Sequence, residues 1–234
     1  MADPAPRTLV LSGASGTVGT ALLHTLAPRW PGDLLALGRT SPWAPVSRPM
    51  RFTPVDLADT TAVAEVSERI ASRPAVSALV CAAGVDARAS LQTFDVSAAR
   101  TCAQVNAWAN VQLLHAALAS QANASIAPRA ALPVVLVSTD VIGISMPATL
   151  VYAAAKAAAE EAFRHAYADA DPPGIALLIV RLPDIGLPMR SAVPGPPPPA
   201  CRDHPPRPAL SAAVDAITTF LLTPRPATVE AWHA

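Results

Sequence analysis

The sequence contains few charged residues and few aromatic ones. Charged residues make up 15% of the 234 residues, and 17 basic side chains balance 17 acidic ones. This balance gives no electrostatic reason to expect a nucleic acid or an anionic membrane surface as a partner. Only 4% of the residues are aromatic, but 52% are apolar. That content is enough for a large core in which alanine fills much of the volume.

Cysteine is also scarce, and long apolar runs are absent. The three cysteines, Cys81, Cys102 and Cys201, are far apart. Their spacing fits neither a disulfide framework nor a zinc site. No apolar run approaches the roughly 18 residues of a membrane-spanning helix. Residues 1–7 also lack the apolar segment of a signal peptide. We therefore expect a soluble cytoplasmic protein that binds no metal.

Proline, in contrast, is abundant, with 26 residues. It is concentrated in residues 194–208, which include the run Pro196–Pro199. Such a segment forms neither a helix nor a central strand. We expect a proline-rich loop over about residues 188–208.

Strand and helix patterns alternate along the chain. Short apolar runs predict strands at 8–11, 34–37, 50–55, 76–81, 133–137, 175–180 and 228–232. Helices are expected at 17–26, 59–72, 97–120, 151–169 and 210–222, the third broken near its start. Strands that are apolar on both sides indicate a parallel sheet covered on both faces. The sequence therefore predicts an α/β fold with a doubly wound parallel sheet, as a single domain over residues 1–234.

A glycine-spaced loop follows the first strand. Gly13 permits a tight turn, Gly16 allows the backbone to approach a pyrophosphate, and Gly19 allows the helix to pack on the strand. The N–H groups at the helix start then face the anion. The same spacing also occurs in ordinary turns. Its place between a strand and a helix favours a dinucleotide site. That site comprises Gly13, Ser15, Gly16, Thr17, Val18 and Gly19.

The end of the second strand indicates which dinucleotide is bound. Arg39 and Thr40 follow this strand, whereas Asp33 lies at its opposite end. An arginine here suits a 2′-phosphate, so we expect NADP(H) rather than NAD(H). The alternative is a solvated loop arginine. The ends of the third and fourth strands add the candidate cofactor contacts Asp56, Leu57, Ala82, Ala83 and Gly84.

Tyr152 and Lys156 stand four residues apart in an alanine-rich helix. Residues at this spacing share one helix face. A neighbouring ammonium favours the phenolate, so we expect the pKa of Tyr152 to be lowered toward neutral. A phenol with such a pKa can act as a general acid. Lys156 is the single lysine of the chain.

Together these segments resemble the short-chain dehydrogenase/reductase superfamily over nearly the whole chain. The resemblance includes further short segments outside the loop and the Tyr-Lys pair. They are Asp56-Leu57, Ala82-Ala-Gly84, Asn106, Val137-Ser-Thr-Asp140 and Arg181-Leu-Pro183. The glycine spacing is similar to that of the extended branch, which includes sugar-nucleotide epimerases and dehydratases. The chain length fits the compact single-domain reductases.

The resemblance implies roles for individual residues. Tyr152 would protonate the carbonyl oxygen, and Lys156 would hold the nicotinamide ribose. Thr139 or Ser138 would steady the substrate oxygen; Thr139 is favoured because it lies 13 residues before Tyr152. Asn106 would support a proton relay to the lysine, the alternative being an amide that only bends its helix. Pro183 and Ile185 are candidate contacts of the nicotinamide, and residues 188–208 occupy the position of the substrate loop.

We therefore expect an NADPH-dependent reductase that transfers hydride to a ketone or aldehyde of a small molecule. One alternative is an epimerase- or dehydratase-like enzyme acting on sugar nucleotides with tightly bound NAD. Another is a non-catalytic sensor that binds NADP(H). The resemblance also implies a homodimer or homotetramer formed by the two alanine-rich helices.

Overall fold

The structure is a computed structural model that describes residues 7–42, 50–73, 76–123, 130–170, 174–183, 208–224 and 226–233. Its strands are β1 (Thr8–Ser12), β2 (Asp33–Gly38), β3 (Met50–Pro54), β4 (Val76–Cys81), β5 (Leu132–Thr139), β6 (Ile175–Leu182) and β7 (Thr228–His233). Its α-helices are α1 (Thr17–Leu26), α2 (Thr60–Ala71), α3 (Val96–Ala103), α4 (Ala109–Ala122), α5 (Leu150–Asp169) and α6 (Pro208–Leu222). None of the helices in these ranges has the length and hydropathy needed to cross a membrane.

The strands form one parallel sheet in the order β3-β2-β1-β4-β5-β6-β7. The chain builds outward from β1 in one direction and then returns to build outward from β4 in the other. The switch point therefore lies between β1 and β4, where a crevice for a ligand opens at the carboxyl ends of the strands. The predicted doubly wound parallel sheet is confirmed.

The core lies on both faces of the sheet, which explains the unbroken apolar runs of the strands. Val10 packs in a cluster with α2, α4 and α5. Its neighbours Leu9 and Leu11 pack on the other face with α1 and α6. Successive strand residues point to opposite faces. Each strand of this kind therefore has to be apolar at every position.

The helix predicted over residues 97–120 is interrupted near its start, as expected. A π-helical turn at Gln104–Trp108 joins α3 to α4. The wider turn shifts backbone carbonyls out of the normal α-helical pattern, and the Asn110 side chain donates to two of them. Its Nδ2 lies 3.3 Å from the Val105 oxygen and 3.1 Å from the Asn106 oxygen. Turns of this type are frequent at functional sites, and this one contains Asn106.

The packing of α5 on the sheet gives a first prediction. Phe163 of α5 is fully buried among strand residues. Phe163→Ala should lower the free energy of unfolding by about 3–5 kcal/mol, because it leaves a cavity in the core. Urea unfolding measures this loss. The control is Phe94→Ala, since Phe94 is 49% exposed and should change stability by less than about 0.5 kcal/mol. Equal losses would contradict the assigned packing.

Candidate active site

The glycine loop is built around two positions that admit no side chain. Gly13 has a φ of +71°, and a Cβ there would lie 2.5 Å from the Ala83 nitrogen. A Cβ on Gly19 would lie 2.2 Å from the Gly13 oxygen. Both glycines are therefore required by the close approach of the loop, α1 and the residues after β4.

The N-terminus of α1 opens at this loop. Gly16 is exposed and occupies the N-cap position, so no side chain caps the first N–H groups of the helix. The first turn also contains no acidic residue. Free N–H groups and the positive end of the helix dipole favour an anion at this place. Ser15 is half-buried, Thr17 is exposed and Val18 is half-buried. The loop thus fits a dinucleotide pyrophosphate.

Backbone hydrogen bonds place the loop between the ends of two strands. The Ala14 nitrogen donates to the Leu37 oxygen of β2 at 3.1 Å. On the other side, the Ala82 nitrogen donates to the Ser12 oxygen at 3.2 Å. Arg39 and Thr40 follow β2 and are exposed. The expected cofactor residues at the ends of β1, β2 and β4, including Ala83 and Gly84, therefore meet at one edge of the sheet.

The remaining cofactor candidates are Asp56, Leu57, Pro183 and Ile185. Asp56 accepts a hydrogen bond from the Ala58 nitrogen at 3.0 Å, so its carboxylate caps the turn after β3. The Leu57 side chain is buried in the core. Pro183 is half-buried directly after β6. Ile185 and the proline-rich loop at 188–208 lie almost wholly outside the described residues.

The carboxyl end of β5 contacts α5 through side chains that include the predicted catalytic pair. The Tyr152 hydroxyl faces the Thr139 side chain, which favours the phenolate. Lys156 Nζ donates to the Val137 oxygen at 2.9 Å. Ser138 Oγ instead donates to Glu160 Oε1 at 2.6 Å. The two neighbouring hydroxyls, between which the sequence leaves a choice, thus have different partners, and the one that contacts Tyr152 is Thr139.

The pKa of Tyr152 differs from the sequence-based expectation. Burial and the nearby Asp86 carboxylate raise this pKa well above the usual value of a phenol, and the hydrogen bond with Thr139 only partly offsets them. The expected lowering by Lys156 is therefore wrong in direction. Desolvation of the phenolate is the largest contribution to this pKa, and Lys156 is not among the charges that shift it, because a helical spacing says nothing about the surroundings of the hydroxyl.

Lys156 is itself nearly completely buried, with 3% of its surface exposed. Burial lowers its pKa to about 8, although Cys102, Cys81 and Glu160 oppose the shift. The ammonium is therefore retained at neutral pH. The Val137 carbonyl gives this buried charge a hydrogen-bond acceptor, which a buried charge requires.

Asn106 binds the loop that follows β4. Its Oδ1 accepts from the Val85 nitrogen at 3.1 Å, and its Nδ2 donates to the Val85 oxygen at 2.8 Å. Nδ2 also lies 3.0 Å from Cys102 Sγ. Among the described contacts, the amide thus fastens the π-helical turn to the crevice wall and does not reach Lys156.

Two acidic residues of this region are not identified by sequence reasoning. Asp86 is 5% exposed and is ion-paired with Arg88 Nε. A backbone hydrogen bond of 3.0 Å from Ala89 to Ala148 holds its loop beside the start of α5. Glu160 is 1% exposed and lies one turn beyond Lys156. Two features of the sequence could have identified them. Asp86 lies two positions after Gly84, and Glu160 continues the four-residue spacing of Tyr152 and Lys156.

A parallel sheet with a glycine loop at its switch point, and a Tyr-Lys pair beside the same crevice, defines a dinucleotide-binding oxidoreductase fold. The family model described as short chain dehydrogenase matches residues 8–194. The chain therefore belongs to the short-chain dehydrogenase family and is an NAD(P)-dependent oxidoreductase. A comparison with curated proteins finds no match.

Solved structures with the same fold cover nearly the whole chain. An alcohol dehydrogenase from the archaeon Thermococcus sibiricus, complexed with 5-hydroxy-NADP, has a TM-score of 0.76 and 19% identity, covering 97% of this chain and 95% of that one. The bulky-bulky ketone specific alcohol dehydrogenase from Comamonas testosteroni has a TM-score of 0.71 and 17% identity, covering 96% and 85%. A short chain dehydrogenase from Burkholderia cenocepacia in complex with NADP has a TM-score of 0.70 and 21% identity, covering 98% and 89%. At these identities the likeness establishes the fold.

The packing of the glycine loop predicts that a glycine-to-alanine substitution in α1 changes stability in the direction opposite to the usual one. Replacing a helical glycine with alanine normally stabilises a helix by about 1 kcal/mol. Gly19→Ala should instead destabilise the protein by about 1–3 kcal/mol, because the new Cβ meets backbone. Urea unfolding gives the value. The control is Gly38→Ala, whose Cβ would meet Ser15 Oγ at an ordinary 3.4 Å. A stabilised Gly19 variant would refute the close approach.

Proposed function

We propose that the protein is an NADPH-dependent reductase that transfers hydride to a ketone or aldehyde of a small molecule, with Tyr152 as the general acid. The observation that carries this proposal is that the Tyr152 side chain faces Thr139 at the carboxyl end of β5, with Lys156 one helical turn away. Two hydroxyls that meet at the mouth of a dinucleotide crevice can bind one carbonyl oxygen between them.

The electrostatics of the pair favour proton donation. Because its pKa is raised, Tyr152 is protonated at neutral pH. Lys156 carries its charge under the same conditions, since its pKa is about 8. A nicotinamide cofactor held at the glycine loop would supply the hydride. As negative charge develops on the substrate oxygen, Tyr152 donates its proton and Thr139 stabilises the oxygen by a hydrogen bond.

We further propose a preference for NADPH, with Arg39 binding the 2′-phosphate and Thr40 as a second donor. Arg39 is exposed at the end of β2, beside the glycine loop. The guanidinium suits a phosphate because its N–H groups match the phosphate oxygens. Two of the similar solved structures, from Thermococcus sibiricus and Burkholderia cenocepacia, contain NADP or a derivative of it.

The loops around Tyr152 favour an apolar carbonyl substrate over a sugar nucleotide. The exposed large apolar side chains of these loops, and of the first residues of α3 and α5 that follow them, are Leu91, Phe94, Val96, Ile144, Met146 and Leu150. The loop after β4 and the loop after β5 are joined by the bridge between Ala89 and Thr149, three residues before Tyr152. Apolar surface of this kind marks binding sites. The similar enzyme from Comamonas testosteroni is described as specific for bulky-bulky ketones, which agrees with an apolar carbonyl substrate.

The assembly and location expected from the sequence stay proposals. We propose a homo-oligomer in which α4 and α5 contact a second copy. Ala154 and Ala158 are exposed on one face of α5, and Trp108, at the start of α4, is 54% exposed. This small-residue face with an exposed aromatic residue supports an interface, and we propose that the assembly works in the cytoplasm.

The acid role of Tyr152 is tested by removing one oxygen atom. Tyr152→Phe should lower kcat by about 10²- to 10⁴-fold, because general acid catalysis is lost. The Kd for NADPH should change little. The measurements are NADPH oxidation with a panel of apolar ketones and aldehydes, and fluorescence titration of NADPH. Tyr167→Phe is the matched control, since Tyr167 is the other tyrosine and lies on the same helix. An unchanged rate in the Tyr152 variant would exclude this role.

The cofactor preference depends on one guanidinium. Arg39→Gln should raise the Kd for NADPH about 10- to 100-fold, the value of one charged hydrogen-bonded contact, and should leave the Kd for NADH nearly unchanged. Arg29→Gln is the control, because Arg29 is exposed beyond the far end of α1. An equal loss of affinity for NADPH and NADH would show that Arg39 does not bind the 2′-phosphate.

A further inference from the structure

Glu160 continues the line of catalytic residues on α5, but the proposed reaction does not use it. Tyr152, Lys156 and Glu160 stand at intervals of four residues, so they share one face of the helix. Each of them contacts one of three consecutive residues at the end of β5. Tyr152 faces Thr139, Lys156 donates to the Val137 carbonyl, and Glu160 accepts from Ser138. We call these the three β5–α5 contacts.

The carboxylate of Glu160 is fully enclosed and fully hydrogen-bonded. Its side chain is 1% exposed. Oε1 accepts from Ser138 Oγ at 2.6 Å and from Arg181 Nε at 2.9 Å. Oε2 accepts from Arg181 Nη2 at 2.6 Å and from Arg164 Nη2 at 3.1 Å. Burial raises the pKa of the carboxyl, but these donors outweigh it and hold the pKa below its ordinary value. The group is therefore charged at neutral pH.

Arg181 extends these contacts to the neighbouring strand. Ser138 and Arg181 are partners in the register of β5 and β6, so Glu160 bridges the two strand ends. The next partners are Thr139 and Leu182, and the Asp140 nitrogen donates to the Leu182 oxygen at 3.0 Å. One carboxylate thus connects α5 with the strand that carries Thr139 and with the strand that leads to Pro183.

We propose that Glu160 is a positioning residue for the catalytic pair. Through Ser138 and Arg181 it fixes how far along β5 the helix α5 lies, so that Tyr152 meets Thr139 and Lys156 meets the Val137 carbonyl. The kinetic part of this inference rests on the proposed reductase function. A buried ion pair is costly to form, and an apolar pair often stabilises a fold at least as well. The charged cluster therefore contributes a defined position of α5 along β5 more than it contributes stability.

Glu160 also contributes to the electrostatic surroundings of Lys156. The groups that face Lys156 are Cys81 of β4, Cys102 of α3, and Glu160 of its own helix, with Tyr152 one turn before it. Burial raises the pKa of both thiols, that of Cys81 to about 12, so neither is charged near pH 8. Tyr152 is neutral there as well. Among these neighbours, Glu160 supplies the negative charge that favours the ammonium.

The first experiment is kinetic. Glu160→Gln keeps the shape of the side chain and an acceptor for Ser138, but it removes the charge. We expect kcat per folded molecule to fall roughly 10- to 100-fold, as for a small displacement of reacting groups, with little change in KM. Glu161→Gln is the matched control: it makes the same chemical change at the next residue, whose side chain is 65% exposed, and it should retain the wild-type kcat. Equal kcat values for the two variants would overturn the inference.

The second experiment needs no substrate. Because Lys156 is the single lysine, protein made with ¹³Cε-labelled lysine gives one lysine resonance, whose titration reports its charge. In the wild type the midpoint should lie near pH 8. Glu160→Gln should move it to lower pH, because a neutral amide no longer favours the ammonium, whereas Glu161→Gln should not. A purely stabilising role for Glu160 would lower the unfolding midpoint in urea and leave this titration in place.

A second pair of variants covers the case in which Glu160→Gln fails to fold. Ser138→Ala removes one hydrogen bond and leaves the ion pair with Arg181. It should lower kcat with little effect on KM, and Ser138→Thr, which keeps a hydroxyl, should restore part of the loss. If both variants keep the wild-type kcat, the positioning role is wrong. If the lysine titration shifts as expected but no carbonyl compound is reduced, the proposed function fails and the inference about Glu160 stands.

Discussion

The hydrogen bond from Lys156 to the Val137 carbonyl is the interaction on which the active site depends. A buried ammonium needs an acceptor, and here it is a backbone oxygen near the end of β5. The pairing of β4 with β5 stops at Cys81 and Leu136, whereas the pairing of β5 with β6 continues to Thr139. On the side of β4, the last residues of β5 therefore have no neighbouring strand and border the crevice. A sheet that ended all its strands together would leave no such place for the lysine, and the tyrosine one turn earlier would have no fixed position.

Burial of this pair has opposite effects on its two members. Desolvation penalises a charged form, so it raises the pKa of a phenol and lowers that of an amine. Tyr152 is shifted upward and Lys156 down to about 8. At neutral pH the pair therefore consists of a neutral phenol and an ammonium, and a neutral phenol can give a proton to a developing alkoxide. The Asp86 carboxylate strengthens this state, because it disfavours the phenolate further. The same electrostatics that contradict the simple charge-pair expectation thus support proton donation in the reductive direction.

The sequence predicts the fold and the location of the site well, because both depend on local patterns. Apolar strands, the glycine loop and the strand ends follow from periodicity and from a loop placed between a strand and a helix. Glu160 and Asp86 could not be found in this way. Their roles depend on partners such as Arg181 and Arg88, and the first of these is distant in sequence and reaches Glu160 only through the register of two strands. The choice between Ser138 and Thr139 was open for a related reason: at the end of a strand both hydroxyls can reach the same helix, and only their partners distinguish them.

The alanines of α5 explain how short side chains can connect a strand to a helix. Ala155 and Ala159 are buried at 6% and 0% exposure, on the side of α5 that faces the protein. A methyl group is the smallest side chain that keeps a helix regular, so alanine at these positions lets α5 approach the sheet closely. The hydroxyls of Ser138 and Thr139 extend only one atom beyond Cβ, and they reach α5 side chains because of this close approach. Ala154 and Ala158, in contrast, are exposed. The alanines of α5 therefore have separate explanations on the two faces of the helix. Those on the buried face are explained by the close packing of α5 on the sheet, and only those on the exposed face favour an interface between copies.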